Sequence, residues 1–473
     1  MRVRKGLLGL AVVFLATVTG CTSGGVDPVD TAGGRSGTSD GKRGTEEPEP
    51  ERRELKVYDP PRKFDRTSVG SVPEQDGPLL TSALVGKRLF TRTVNGVRIT
   101  DVSTGKALTG TVRPENDVQI AYQKELRRGT DRVDGLAPFV LERPDGPPLV
   151  LAAFHTRTPG RGTTAPRELV ELLAVDSGTG KRRGGAAVEL RGAYGEKPTS
   201  TRVVGAYGQV VVLAVRVHTS SSLGDDFRET VAVDLGDPAK PRTVWRRPAF
   251  EAYAVASGHV VGAAPGWVGW AQQYVALTGL DAGDGKQVWQ DPHGVGKSGT
   301  RPAVDAQTTA AAGPDRVVVS RRAGLDKELL LVDPATGAFT PLLADSATVT
   351  CHDDRKATVV CAPREGGAGS GRKTVFAFDA RSGKLLWRLP DEKAGRIRPE
   401  VTTAWHGRVY GRTPAGPVVL DARTGEDVEV EPGIAPVLVN EYAGLAMRDG
   451  SHTKHSGRTP AVPWRMSLHH AVG

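Results

Sequence analysis

Two cysteines near the middle of the chain lie beside other side chains that can bind a metal. Cys351 and Cys361 occur in the segment TVTCHDDRKATVVCAPR, in which His352, Asp353 and Asp354 follow the first cysteine. Zinc needs ligands that converge on a tetrahedron, whereas alternate side chains of an extended strand point apart. Two strands around a short polar loop would place the cysteines opposite each other, so a disulfide is predicted. Metal binding and two free thiols are the alternatives.

The other candidate ligands and phosphate loops have spacings that do not suit these roles. The late histidines are His452, His455, His469 and His470. A spacing of three residues gathers side chains only on a helix, so a solvated tail is predicted there instead of a metal site. The glycine-rich stretches 296–298 and 366–374 lead into no helical pattern, which predicts inter-strand loops instead of phosphate-binding loops. No catalytic residue and no metal ligand is predicted.

A recurring Asp-x-x-x-Gly turn supplies the framework of the chain. The turn residues are Asp101 and Gly105, Asp176 and Gly180, Asp281 and Gly285, Asp333 and Gly337, Asp379 and Gly383, and Asp421 and Gly425, with a degenerate copy at Asp234. An aspartate at a strand end can accept bonds from backbone N–H groups two residues on, and the glycine supplies the positive φ of a tight turn. Each copy therefore predicts a hairpin. Successive copies lie roughly 40 to 75 residues apart, mostly the spacing of propeller blades.

Short apolar segments flank these turns and favour an all-β fold. Examples are VVVLAVRV at 210–217, RVVVSRR at 316–322 and KTVFAFD at 373–379, each bounded by glycine, proline or aspartate. No stretch of similar length has the period of an amphipathic helix. The seven turns, with further strand-like pieces after Ala435, predict a β-propeller of about eight four-stranded blades. A ring of seven, closed by strands shared between the termini, is the alternative.

Two of the turns carry a tryptophan at the same offset, Trp289 and Trp387, and Trp245 is a displaced version. A large aromatic residue on the outer strand can fill the wedge between blades. The pattern D-x-x-[TSD]-G-K-x-x-W after an apolar strand resembles the repeat of the PQQ-binding-like β-propellers, over roughly residues 75 to 470. This resemblance implies a propeller fold more firmly than it implies binding of the quinone cofactor.

The resemblance also bears on cofactors. Quinoprotein dehydrogenases of this fold hold pyrrolo-quinoline quinone and Ca²⁺ on the propeller axis, often beside a disulfide between adjacent cysteines. This chain has no adjacent cysteines and no set of carboxylates and amides that matches the calcium ligands. Neither PQQ nor Ca²⁺ is therefore expected as a cofactor.

The N-terminus has the organisation of a bacterial lipoprotein leader. Three cations within residues 1–5 precede an apolar run at 6–18, and the sequence VTGC ends at Cys21. The run is too short to span a bilayer of ~30 Å and has the length of a signal-peptide core. We expect cleavage after residue 20 and acylation of Cys21, which would anchor the protein on the outer face of the cell membrane. A secretory peptide with a chance cysteine and a retained N-terminal anchor are the alternatives.

Composition divides the rest of the chain in two. Residues 21–70 are mostly rich in glycine, proline, serine and charge, which predicts a disordered tether, and residues 71–473 form the propeller. The formal charge of +9 falls to +6 once the leader is removed. The basic residues form no stripe with interleaved aromatics, so nucleic acid is not expected as a partner.

These features together predict a lipid-anchored extracytoplasmic propeller that binds or scaffolds protein, peptide or cell-envelope ligands without catalysis. Its partners would be the membrane, through the lipid, and a protein or envelope component, and the propeller would be monomeric. An inserted stretch at 112–132 is a candidate contact surface or a bland insertion. The alternative is a quinone-dependent dehydrogenase, or another enzyme with its site on the propeller axis.

Overall fold

Thirty-two strands and no helix make up the described part of the chain. The computed structural model describes residues 54–72, 81–108, 110–118, 137–190, 197–218, 227–268, 271–291, 303–323, 326–344, 349–363, 374–447 and 466–473. All of these residues belong to one unit, Glu51–Gly473. The predicted leader, Cys21 and the linker up to residue 53 lie outside them. Among the described residues, no helix has the length and apolarity that crossing a bilayer requires.

The strands pair into eight antiparallel sheets, which are the blades of the propeller. β1 (Gly70–Ser71) belongs to the last blade. Blade 1 contains β2 (Ser82–Val85), β3 (Arg88–Thr93) and β4 (Gly96–Asp101). Blade 2 contains β5 (Asp117–Val118), β6 (Phe139–Leu141), β7 (Leu149–Thr158), β8 (Arg167–Asp176) and β9 (Arg182–Glu189). Blade 3 contains β10 (Lys197–Tyr207), β11 (Val210–His218), β12 (Phe227–Asp234) and β13 (Arg242–Pro248).

The later blades follow the same order. Blade 4 contains β14 (Glu251–Ala256), β15 (His259–Val268), β16 (Ala271–Asp281) and β17 (Gln287–Gln290). Blade 5 contains β18 (Ala303–Ala311), β19 (Val317–Ala323), β20 (Asp326–Val332) and β21 (Phe339–Ala344). Blade 6 contains β22 (Val349–Asp353), β23 (Thr358–Pro363), β24 (Val375–Asp379) and β25 (Leu385–Leu389). Blade 7 contains β26 (Glu400–Trp405), β27 (Arg408–Thr413), β28 (Gly416–Asp421) and β29 (Asp427–Glu429). Blade 8 contains β30 (Pro436–Val439), β31 (Ala443–Met447) and β32 (Met466–His470), with β1 as its outer strand.

The ring closes through strands from both ends of the chain. β1 pairs with β32, with Gly70 opposite Leu468. In blade 1, isolated bridges from Val97 to Val112 and from Thr100 to Ala107 continue the pairing where a fourth strand would lie. The prediction of eight blades is confirmed, and the alternative of seven is wrong. We predicted strand sharing between the termini only for the seven-bladed alternative, but it occurs in the eight-bladed ring.

The core lies between the blades rather than at a single centre. Eight clusters of buried apolar side chains occupy the eight junctions between neighbouring sheets. On β11, Val211 and Leu213 face blade 2, whereas Val212 faces blade 4. Because each sheet is covered on both faces, its central strands are continuously apolar instead of alternating. This burial explains the Val-rich runs in the sequence.

The Asp-x-x-x-Gly turns join the third and fourth strands of the blades. In blade 4, Asp281 Oδ1 accepts the N–H groups of Gly283 (2.8 Å) and Asp284 (3.1 Å), and Gly285 N–H donates to the Asp281 carbonyl (2.9 Å). The glycine has φ of 71°, a value that favours glycine. The other five complete turns have φ between 67° and 75° at Gly105, Gly180, Gly337, Gly383 and Gly425. Each turn therefore holds its aspartate in a structural role.

Three tryptophans connect one blade to the turn of the next. Each indole N–H donates to the carbonyl of the residue that follows the aspartate of that turn. The pairs are Trp245 with Ala282 (2.9 Å), Trp289 with Pro334 (2.7 Å) and Trp387 with Ala422 (2.8 Å). The rings also cover the turn glycines, since a Cβ at Gly285, Gly337 or Gly425 would lie 2.6 to 2.7 Å from the indole. Glycine is thus required at each of these positions for two reasons, the positive φ and the close approach of the indole ring.

Two other side chains supply the same bond where no tryptophan is present. Arg88 Nη1 of blade 1 donates to the Ser177 carbonyl in blade 2 (2.8 Å). His470 Nε2 of blade 8 donates to the Val102 carbonyl in blade 1 (2.8 Å), at the closure of the ring. His470 is only 3% exposed, so the prediction of a solvated tail is wrong for this residue. The reason is that the last strand lies inside blade 8.

The last part of the predicted linker packs on the propeller. Phe64 is buried, and its ring lies edge-on to Tyr410 of blade 7 at 6.0 Å. Tyr410 Oη donates to the Pro61 carbonyl (2.7 Å), and the Tyr58 N–H donates to the Glu441 carbonyl (2.9 Å). The described residues before β1 therefore belong to the packed body.

Candidate binding site

The two faces of the ring differ in how the chain crosses them. We call the face with the Asp-x-x-x-Gly turns the turn face, and the opposite one the loop face. First and second strands also meet at the turn face, through connections as short as 208–209, 257–258 and 406–407. Second and third strands meet at the loop face, where the connections range from two residues, as at 94–95, 269–270, 324–325 and 414–415, to the longer 159–166 and 448–465. The longest of these connections thus lie on one side of the ring.

A cleft of about 590 Å³ opens at the loop face between blades 7 and 8. Arg412, Thr413 and Pro417 line it from the β27–β28 hairpin, and Ser467 and His469 line it from β32. The connection 433–435 and the segment before β1, with Arg66 and Ser68, complete its walls. Residues from the segments 66–68, 412–417, 433–435, 446–447 and 467–469 therefore meet here.

Ser467 and His469 form a hydrogen-bonded pair in the wall of the cleft. They are two residues apart on β32, so both side chains lie on the same side of the strand. Ser467 Oγ and His469 Nε2 are 2.7 Å apart, and His469 Nδ1 lies 2.8 Å from the Asp65 carbonyl. A carbonyl can only accept, so Nδ1 carries a proton. In the neutral imidazole, Nε2 then accepts the hydroxyl proton of Ser467.

The cleft combines positive charge with apolar surface. Arg66 and Arg412 line the cleft from two different elements, and Pro417, Ile434 and Met447 provide apolar walls. Arginine presents a planar set of donors that suits carboxylates and phosphates. The charges and the walls together suit a ligand with an anionic group and an apolar part.

The same pair has the spacing of a nucleophile and a general base, with the Asp65 carbonyl as the group that orients the base. However, Ser467 is only 5% exposed, and its Oγ also lies 3.5 Å from the Ala446 carbonyl. This burial limits the approach of a reacting carbon to Oγ, and it limits the approach of a ligand oxygen in the same way. The pair is therefore assigned no catalytic role.

A second group of charges lies between blades 3 and 4. Arg228 forms a salt bridge with Glu251, and Arg216 lies 3.7 Å from the same carboxylate. Burial and the nearby Glu251 raise the pKa of Tyr253 well above its usual value. Since each ion has its partner within the junction between the blades, the group stabilises that junction, and we do not assign a ligand to it.

The predicted disulfide is present in blade 6. Cys351 on β22 is directly opposite Cys361 on β23, and their sulfur atoms are bonded. The neighbouring His352 is paired with Val360, and burial lowers its pKa to about 4. Within the described residues, no three histidine, cysteine, aspartate or glutamate side chains are placed to hold a metal together. The disulfide prediction is confirmed.

The other predicted positions are distributed as follows. The turn residues and Trp289 and Trp387 lie at blade edges and do not line the cleft. Cys21, His452, His455, the stretch 296–298 and most of 366–374 lie outside the described residues, as do residues 119–132 of the insertion at 112–132. His469 is 5% exposed, so the predicted solvated tail is wrong here as well.

Sequence reasoning missed Ser467, His469, Arg66 and Arg412 as members of one site. The available signal was the pattern Met-Ser-Leu-His-His, in which polar and apolar residues alternate as they do on a strand. That pattern indicates a shared side for Ser467 and His469, but it does not indicate which residues face them. The partners come from about 55 and 400 residues away along the chain and meet them only through closure of the ring.

The chain is a β-propeller. No known protein-family model matches the sequence, and no curated protein sequence matches it. The PQQ-repeat family resemblance therefore stays a prediction.

Several solved structures are similar at low identity. Dihydro-heme d1 dehydrogenase NirN in complex with DHE has a TM-score of 0.41 and 12% identity, and the match covers 74% of this chain and 64% of that one. The Dos1 propeller has a TM-score of 0.40 and 10% identity, with 87% and 94% covered. A puromycin-hydrolyzing peptidase of Mycobacterium tuberculosis has a TM-score of 0.41 and 13% identity, with 83% and 59% covered. The chain spans less than two thirds of the length of the first and third, and likenesses at this level carry no functional argument.

Proposed function

We propose that this protein is a lipid-anchored, extracytoplasmic β-propeller that binds a protein, peptide or cell-envelope ligand on its loop face, without catalysis. The observation that carries the proposal is the asymmetry of the ring. The turn face is closed by tight hairpins, whereas the loop face has the longer connections and the cleft between blades 7 and 8. Binding residues are commonly found on loops that a rigid scaffold positions.

The rigidity of the scaffold supports this role. Apolar clusters fill every junction, and indole, guanidinium and imidazole donors tie blades to the turns of their neighbours. A platform of this kind loses little conformational entropy when a ligand binds. Closure of the ring, in which β1 covers β32, supports the proposal that the propeller functions as a monomer.

The anchor is proposed from the leader sequence. Cys21 would carry the acyl chains, and residues 22–53 would separate the propeller from the bilayer. A labelled fatty acid supplied to the cells should be incorporated into the wild-type protein but not into the variant Cys21→Ala. Ser23→Ala is a matched control in the same segment and should still incorporate the label. Labelling of the Cys21→Ala variant, or no labelling of the wild type, would refute lipidation at this residue.

Site-specific crosslinking on intact cells tests the binding face. A photo-reactive amino acid is placed at Ala415, an exposed residue in the loop-face hairpin of blade 7, or at Arg423, an exposed residue in the turn of the same blade. We expect a discrete crosslinked partner from position 415 and none from position 423. Capture only from position 423, or equal capture from both, contradicts a loop-face site.

The enzyme alternative has a separate test. The purified full chain is titrated with pyrroloquinoline quinone in the presence of Ca²⁺, and binding is followed by the absorbance of the quinone. The proposed non-catalytic function predicts no saturable binding. A stoichiometric complex would replace it with an axial-site enzyme.

A further inference from the structure

We propose that the cleft between blades 7 and 8 binds a carboxylate or phosphate group through Arg66, Arg412 and the hydroxyl of Ser467. This inference rests on the proposed function, because it names the chemistry of a ligand at the same face. It assigns the buried Ser467–His469 pair a role in ligand recognition. This role depends on whether the imidazole of His469 is protonated.

The two arginines reach the cleft from independent elements. Arg66 precedes β1, and Arg412 lies near the end of β27. Ser68 and Thr413 add hydroxyl groups to the lining. Guanidinium groups form bidentate, charge-assisted bonds with carboxylate and phosphate oxygens, and hydroxyl groups can complete the coordination of such an anion.

The Ser467–His469 pair determines which way the serine proton points. His469 Nδ1–H is held by the Asp65 carbonyl, so the neutral ring leaves Nε2 as an acceptor for Ser467. In that state, the serine proton is used inside the pair, and its oxygen offers lone pairs to the cleft. When His469 is protonated, Nε2–H donates to Ser467 Oγ, and the serine proton is available to the Ala446 carbonyl, 3.5 Å away, or to a bound anion. Anion binding and protonation of His469 therefore favour each other.

Some charged groups around the Ser467–His469 pair oppose protonation of His469, and others favour it. Arg66 and Arg412 face the cleft and oppose a further positive charge on His469. Among the described residues, the negative groups on the neighbouring elements include the Asp65 carboxylate, which accepts the Thr67 N–H at 2.9 Å, and Glu400, which is opposite Arg412 across β26 and β27. A bound anion would add negative charge near the imidazole and make its protonation easier.

The size and walls of the cleft restrict the ligand further. A volume of about 590 Å³ is in the range of small-molecule sites, and Pro417, Ile434 and Met447 offer apolar contacts. The ligand class that fits is a small molecule or chain end with one anionic head and an apolar portion. Free metabolites and envelope components can both carry such a group.

Sulfate is a suitable probe because it keeps its double charge across the pH range of histidine titration. Calorimetry on the full chain in detergent at about pH 5.5 and about pH 8 should show saturable sulfate binding that is tighter at the lower pH. Arg66→Ala and Arg412→Ala should each weaken it by about tenfold, whereas the matched variant Arg423→Ala, on the turn face of blade 7, should not change it. His469→Gln should retain binding but lose the pH dependence.

The anion site would be refuted if sulfate showed no saturable binding at both pH values. It would also be refuted if neither arginine variant weakened sulfate binding. Equal affinity at both pH values would remove Ser467 and His469 from the site. The arginine variants change exposed or half-exposed side chains, so they keep the test valid even where His469→Gln does not fold.

Competition then identifies the anion. Hexanoate and hexyl phosphate share an apolar chain, so displacement of sulfate by one of them assigns a carboxylate or a phosphate, and displacement by neither contradicts the proposed ligand class. These measurements need no cellular partner. Sulfate binding without crosslinking from position 415 would support the anion site and refute a cellular partner on the loop face. Crosslinking from position 415 without sulfate binding would support the partner and refute the anion site.

Discussion

The indole of Trp245 in blade 3 lies against the α-carbon of Gly285 in blade 4, where a Cβ would be 2.6 Å from the ring. The same indole donates its N–H to the Ala282 carbonyl in that turn. One aromatic residue thus joins a side chain of one blade to the backbone of the next. This contact recurs at Trp289 and Trp387, which makes the junction between blades a repeated structural unit.

Gly285→Ala should destabilise the propeller by about 3 kcal/mol or more, because it combines an unfavourable positive φ with overlap against the indole. Gly86→Ala is the control, since Gly86 also has a positive φ, 53°, but no atom lies within 4 Å of its would-be Cβ. We expect a cost of about 1 kcal/mol there. Denaturant unfolding of both variants measures the difference, and equal costs would show that the indole contact is unimportant.

Trp245→Phe should cost about 2 to 3 kcal/mol, because it leaves the Ala282 carbonyl without its partner in a buried place and shrinks the ring. Trp405→Phe provides a comparison. Its indole N–H bonds to the Asp59 carboxylate at 3.1 Å in a more exposed position, so water can replace the lost bond. Chemical denaturation should therefore rank Trp245→Phe as the more harmful change, and the reverse order would contradict the role of the junction.

Removal of the disulfide by Cys351→Ser together with Cys361→Ser should lower the free energy of unfolding by about 2 to 3 kcal/mol in the chain-entropy model. The expected loss of stability is small because the bond closes a short loop, with a sequence separation of 10. Wild-type protein unfolded in the presence of a reductant should show a similar loss. A cost above ~5 kcal/mol would mean that the bond does more than restrict the unfolded chain.

Acid should weaken the fold through His352. Burial lowers the pKa of this side chain to about 4 in the folded protein, below the value of about 6.5 expected when unfolded. The unfolded state therefore binds the proton more tightly, so the stabilisation is fully present above about pH 6.5 and is lost as the pH falls to about 4. The effect is at most about 3 kcal/mol, and solvent access to the ring reduces it.

Denaturation midpoints at several pH values in this window measure the effect. His352→Gln should flatten the dependence, whereas His259→Gln, at a turn-face hairpin whose Nδ1 bonds the Ser257 carbonyl, should leave it unchanged. An unchanged slope in His352→Gln would assign the acid sensitivity to other groups.

The repeat of aspartate and glycine was sufficient to predict the fold class. An aspartate and a glycine four residues apart can form the turn with local bonds alone, as at Asp281 and Gly285, so the pattern carries its structure with it. The Val-rich runs added the strands between the turns. The blade count was harder, because the last blade takes its outer strand from the other end of the chain, and no local pattern shows that pairing.

The cleft was beyond sequence reasoning for the same reason. Arg66, Arg412 and His469 lie far apart along the chain, and each has an ordinary local context. Only the closed ring brings them together, and the Asp65 carbonyl, contributed by the segment before β1, fixes the proton on His469 Nδ1.

The sequence by itself determined the strands, the turns, the cysteine pair and the proposed leader, because each depends on residues that are near neighbours along the chain. The tertiary structure decided the number of blades, the burial of His469 and His470, the bond from each donor to the next turn, and the location of the cleft. Those features depend on contacts between distant segments, which form only when eight sheets pack around one axis and β1 pairs with β32.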